Sequence, residues 1–189
     1  IDPAMLADAW PTPLAASAKT AKGIGLLWRI ARNGAAMYGR KLTAAEVQRR
    51  IDRWYRPYHA ALAAELDAMH RSFGAIWHIN CHSMPAVGDA YSDDAGRPRK
   101  DFVLGDRDGT TCAPEFTALV ADTLTGLGYS VAINDPYKGV EIVRRYGRPE
   151  ERRHSLQIEL NRRLYMDETT LERNDGYAKL EVNLERLLA

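Results

Sequence analysis

AIWHINCHSMP, residues 75–85, is an aromatic and β-branched apolar run that ends in a Ser-Met-Pro turn, the pattern of a buried strand delivering a polar side chain to its far end. Side chains alternate along a strand, so His78, Asn80 and His82 share one face while Trp77, Ile79 and Cys81 share the other. The strand is expected over Ala75 to Cys81, with Ser83, Met84 and Pro85 turning the chain at His82.

Working outward, three more short apolar runs read as strands: Asp101 to Leu104, Ser130 to Ile133 and Leu156 to Leu160. Between the second and third strands, Phe116, Leu119, Val120, Leu124 and Leu127 recur at helical spacing over Pro114 to Leu127, and Gly128 closes the helix. Upstream, Thr43-Ala-Ala-Glu46 is a capping box, so a helix begins at about Ala44. Val47, Ile51, Trp54, Tyr58, Leu62, Leu66 and Met69 form its expected buried stripe, and Pro57 must kink or split it. A last helix is expected from about Thr170 to Leu188. Residues 1 to 40, rich in Ala, Pro and Gly, read as loop around one compact run near Gly25 to Ile30 that forms a short strand or helix. Strands alternating with helices predict an α/β fold, a three-layer sandwich around a mixed, largely parallel sheet whose strand ends collect ligands.

The chain has 189 residues, enough for one domain that buries roughly 70% of its unfolded surface. Its charges nearly cancel, 26 Lys and Arg against 25 Asp and Glu, and no long single-sign run marks a nucleic-acid track or a polybasic membrane patch. No run approaches the ~20 apolar residues of a membrane span. Two cysteines without CxxC spacing make neither a disulfide framework nor a thiolate metal site, so a reducing, cytoplasmic setting is expected. The opening IDPAMLADAWPTP, without an initiator methionine, reads as the inside of a longer chain.

Two residues draw the chemistry. Neutral imidazole is a common zinc ligand, and His82 at a strand end is placed to act as one, whereas His78 reads better as a satisfied structural histidine. Glu159 lies in Leu156-Gln-Ile-Glu-Leu160, where it shares a face with Gln157. A carboxylate inside an apolar run is costly unless it is paired or working. Two readings stand open: a general base beside an activated water, or an ion pair with Arg162 or Arg163. Two loops that follow strands offer substrate contacts. Arg107 in Gly105 to Thr111 can fork onto a carboxylate, and Asn134, Tyr137 and the nearby Arg144 carry polar groups suited to an acidic ligand, although both segments are also ordinary turn chemistry. No phosphate-binding glycine fingerprint, HExxH or GxSxG is present.

Taken in order, HINCHSMP, DFVLGDRDGTTC, GYSVAINDPYKG and HSLQIELNRRLYMDE resemble the N-formylglutamate amidohydrolase family over about residues 40 to 170. That resemblance implies a fold similar to the zinc carboxypeptidases and aspartoacylase, with His82 as a zinc ligand and Glu159 as the base that activates metal-bound water. It implies a small acidic N-acyl amino acid as substrate, N-formyl-L-glutamate first among them, cleaved to formate and glutamate, and it says nothing of oligomeric state. The related proteins carry a Pro-His-Ser-Gly type motif and an Asp-x-Asn-Arg motif upstream, and neither occurs here. The remaining zinc ligands are therefore expected upstream of Ile1. A deacylase or peptidase acting on another amide, and a truncated binding module without catalysis, stay open as alternatives.

Overall fold

The computed structural model describes residues 1–31, 34–90 and 92–188. The chain forms two compact units, Ile1–Ala64 and Glu65–Ala189. The first has little regular structure beyond its helices. Helix α1 (Ala18–Ala21) is a single turn closed by the reciprocal Ser17 and Thr20 capping box. Met5, Leu6, Leu42 and Val47 form a small buried core, and Arg29 pairs at 2.7 Å with the buried Asp2. Around Gly25 to Ile30 there is neither strand nor helix, only isolated bridges such as Ile24 with Trp28.

Helix α2 (Ala44–Arg50) starts on the predicted Thr43 and Glu46 capping box. It runs through a π-helical turn, Ile51–Tyr55, into α3 (Arg56–Phe73). Pro57 brings no N–H and crowds the carbonyl four residues back, and the wider π turn just before it accommodates both demands without breaking the rod. The extra residue in that turn shifts the inward positions around it by one, while Val47 before it and Leu66 after it are buried as expected. Tyr55 and His59 turn inward where Trp54 and Tyr58 were expected, and Trp54 is 66% exposed against 7% for His59.

In the second unit, β1 (Ile76–Met84), β2 (Phe102–Gly105), β3 (Val131–Ile133) and β4 (Arg153–Asn161) form one sheet in the order β1-β4-β2-β3. β1 lies parallel to β4 and β2 parallel to β3, and the central β4–β2 contact is antiparallel. The sheet is mixed with parallel pairing in the majority. All four strands were legible, but β1 continues past His82 because its ladder with β4 runs on through Ser83 and Met84 until Pro85, which has no N–H to donate.

Phe102, Leu104, Leu156 and Ile158 point to one face, where Val120 and Leu124 of α4 (Pro114–Gly126) and Leu180 of α6 (Tyr177–Leu188) complete the main core. Helix α6 starts later than expected because Asn174 and Gly176 form a turn immediately before it, in which the Asn174 side chain accepts from the Gly176 N–H. The short α5 (Glu141–Tyr146), which the sequence pattern did not reveal, follows a segment lying on the opposite face. Gly105 of β2 makes room there: a Cβ on it would meet the Gly139 nitrogen at 2.5 Å. Helices thus flank both faces, the α/β sandwich predicted. Among the described residues no helix is long and apolar enough to cross a membrane.

Candidate functional site

The face of β4 opposite the apolar core carries Ser155, Gln157, Glu159 and Asn161, all buried, with Glu159 only 6% exposed. Four polar side chains in a row under cover require partners, and among the described residues no buried side-chain nitrogen or oxygen lacks one. The register of β1 against β4 supplies several: His78 lies across from Ser155, Asn80 from Gln157 and His82 from Glu159.

His78 Nδ1 lies 2.8 Å from Ser155 Oγ, and burial pushes its pKa down, favouring the neutral ring. It is the satisfied histidine the sequence pattern suggested. His82 is different. Its Nδ1 stands 3.7 Å from Glu159 Oε1, and its side chain keeps 37% exposure while that of Glu159 keeps 8%. Asn80 Nδ2 lies 3.0 Å from His82 Nε2 and holds the ring from the other side. Glu159 Oε1 also accepts from Gln157 Nε2 at 2.9 Å. The result is a buried carboxylate beside a half-open imidazole at the end of two parallel strands, an arrangement able to take a proton from a molecule arriving from solvent. The arginines considered as partners of Glu159 engage other groups. Arg163 pairs with Asp101 at 2.7 Å, while Arg162 donates to Ser83 and faces Glu168 at 3.9 Å.

The residues proposed for substrate contact are distributed unevenly. Because β2 and β3 run opposite to β4, the loops after them leave from the end where β1 and β4 begin, not from the end that holds His82 and Glu159. The 134–139 loop then crosses back over the polar face. It is tied down at one side by Asn134, whose Nδ2 donates to Asp106 Oδ1 at 2.7 Å. Burial pushes the Asp106 carboxyl up, but hydrogen bonds from Asn134, the Gly109 N–H and Thr117 together hold it below the ordinary carboxylate range. Arg107 Nη1 donates to Gly139 O at 3.1 Å. At the far side the Tyr137 ring lies 5.0 Å from the guanidinium carbon of Arg99, and Arg99 in turn donates to Pro85 O just beyond the end of β1. Tyr137 therefore reaches the end of the sheet where His82 and Glu159 stand. Arg144 sits on the exposed side of α5, bound to Glu141 at 2.7 Å.

Two contributors escaped the sequence reading. Gln157 was visible as a face-mate of Glu159 by period-two alternation, yet its second bond, accepting from the Val140 N–H at 3.0 Å, depends on a loop brought in by the fold. Arg99, 4% exposed, forks onto Asp94 with two bonds of 2.7 Å, and the chain around it gives no local signal of burial.

A metal is a separate matter. Catalytic zinc takes about three protein ligands and one open position, and among the described residues no group of three or more His, Cys, Asp or Glu is close enough to hold an ion. His82 and Glu159 do not complete such a site.

The model of the N-formylglutamate amidohydrolase family matches residues 1–166. An N-formylglutamate deformylase of Pseudomonas putida is 34% identical over 150 residues, which cover 76% of this chain and 54% of that protein. One from Pseudomonas aeruginosa is 36% identical over 127 residues, 67% of this chain and 47% of that one. The crystal structure of N-formylglutamate amidohydrolase from Ralstonia eutropha JMP134 superposes with a TM-score of 0.91 at 55% identity, covering 99% of this chain and 67% of the other. The chain spans about half the length of the curated relatives it matches.

Proposed function

Because the chain belongs to the N-formylglutamate amidohydrolase family, we propose that it carries part of an enzyme hydrolysing the formamide bond of N-formyl-L-glutamate, with Glu159 as general base. The observation that carries this reading is the meeting of His82 and Glu159 across the β1–β4 register, 3.7 Å apart, with the carboxylate buried and hydrogen-bonded.

In the proposed reaction Glu159 takes a proton from water and the oxygen adds to the formyl carbon. The tetrahedral intermediate then breaks its C–N bond as Glu159 returns the proton to the departing nitrogen. Formate and L-glutamate leave, and the carboxylate is regenerated. Tyr137, at the same end of the sheet, is the residue proposed to meet a substrate carboxylate, whereas Arg107 leaves from the opposite end and donates to Gly139 O. Asn134 and Arg144, also candidates, would first have to exchange the bonds they hold with Asp106 and Glu141.

Zinc dependence belongs to the same proposal. Residues 1–189 contribute one ligand, His82, and the other ligands come from elsewhere in the full-length protein. Asn80 Nδ2 can only donate, so in the neutral ring His82 Nε2 accepts from it and the ring proton sits on Nδ1, the nitrogen that faces Glu159.

The test is an assay of the full-length protein on N-formyl-L-glutamate, following formate and glutamate together. Glu159→Gln should lower kcat by a factor of about 10² to 10⁴, the usual worth of a positioned acid/base, and keep its metal. His82→Ala should lose metal and turnover together. Full turnover by Glu159→Gln would reduce that residue to a structural role.

A further inference from the structure

We infer that Gln157 is a positioning residue for the reaction: its side-chain amide sets the direction of the Glu159 carboxylate and ties it to the loop that carries Tyr137. The inference rests on the reading of Glu159 as the base.

Gln157 is fully buried on β4 with one side-chain bond of each sense. Its Oε1 accepts from the Val140 N–H at 3.0 Å, and its Nε2 donates to Glu159 Oε1 at 2.9 Å. A backbone N–H can only donate, so Val140 forces the amide oxygen toward itself. The NH₂ end is thereby turned to Glu159, which settles the amide orientation on chemical grounds. The neighbours explain why the bridge forms here. Gln157 sits between Asn80 on β1 and Gly105 on β2 in the register. Gly105 has no side chain, and the backbone at Lys138 and Gly139 fills the place its Cβ would take, which brings the next residue, Val140, within reach of the glutamine. Movement of the 138–140 backbone is thus transmitted through one rigid amide to the carboxylate. A base must lie within about 3 Å of the proton it takes, so its direction counts as much as its presence.

Two variants of the full-length protein divide the bridge. Gln157→Glu, near-isosteric, keeps an acceptor for the Val140 N–H but, once ionised, has no donor for Glu159. Gln157→Met removes both bonds at similar volume. Both should lower kcat by about 10- to 100-fold, the usual worth of a hydrogen bond to a charged group, with KM for N-formyl-L-glutamate changed less than about threefold. If Gln157→Glu keeps wild-type kcat, or if the loss falls on KM alone, Gln157 only anchors the loop and the inference is overturned. Should neither variant fold, NMR of the wild-type side-chain amide decides. A Gln157 Nε2 proton protected from exchange, with a resonance that moves in Glu159→Gln, supports the bridge, and a freely exchanging amide overturns it. An inactive wild-type protein would instead sink the reading of the reaction, whereas an active wild type with an inactive Glu159→Gln and unaffected Gln157 variants would sink this inference alone.

Discussion

Arg99 holds a full charge where its side chain is 1% exposed, and it does so because Asp94 meets it with two short bonds. The hydrogen bonds with Asp94 raise the arginine's pKa and lower the aspartate's, so both stay ionised through the neutral range. Its other contacts, to Pro85 O, Ser92 Oγ and the face of Tyr137, join the segment after β1 to the loop after β3. Removing one member of a buried pair leaves an uncompensated charge, a loss of about 3–5 kcal/mol. Arg99→Leu should therefore lower the unfolding free energy by that amount in urea titration, and adding Asp94→Leu should recover a large part of it. A double variant no more stable than the single one would show that the lost contacts to Pro85 and Tyr137, not the stranded charge, dominate.

At the scale of elements, two features hold the site's frame. The first is the approach of the 138–140 backbone to β2. Gly105→Ala would place a methyl 2.5 Å from the Gly139 nitrogen and 2.8 Å from the Lys138 carbonyl carbon, both backbone atoms that cannot rotate away. Overpacking of this kind costs about 1–3 kcal/mol, so the substitution should lower the melting temperature and, by lifting the loop from Gln157, also reduce turnover. The second is the seat of α4. His154 stacks on Trp77 with ring centres 4.0 Å apart, and its Nδ1 accepts from the Ala113 N–H at the start of the helix. Burial, aided by Arg152, lowers its pKa in the folded protein. The unfolded chain therefore binds a proton at about pH 6.5, where the folded protein does not. Stability should be full above that pH and fall as the pH drops toward the depressed folded value. Melting curves between pH 7.5 and 5 should show this, with a shallower slope in His154→Phe, and an unchanged slope would remove His154 from the account.

Residues 1–189 bring together a buried carboxylate and one imidazole, while among the described residues no group of three ligating side chains converges. A polypeptide of residues 1–189 should therefore take up well under one zinc per chain by elemental analysis and show no measurable deformylase activity, whereas the full-length protein should bind about one metal and turn over, in keeping with about three ligands for a catalytic zinc. Stoichiometric zinc with turnover in the short polypeptide would place further ligands among His59, His70, His78 and His154 and overturn His82 as the one ligand these residues contribute.

The four strands, the helix at Pro114 and the capping box at Thr43 were legible in the chain alone, because periodicity, turn residues and capping chemistry act over a few neighbours and are written locally. The chain alone also set His78, Asn80 and His82 on one face, since strand alternation needs no partner to be read. The remaining features come from contacts between segments distant in the chain. The antiparallel contact of β2 with β4 sends Arg107 and Asn134 out at the other end of the sheet, and nothing in an isolated strand states its direction relative to a neighbour. The π turn before Pro57 turned Tyr55 and His59 inward in place of Trp54 and Tyr58, while Leu66 farther along the helix stayed buried as the periodicity had it. The two bonds of Gln157, the burial of Arg99 and the crossing of Tyr137 over the polar face all join segments far apart in the chain, and such contacts exist only once the sheet has set its order.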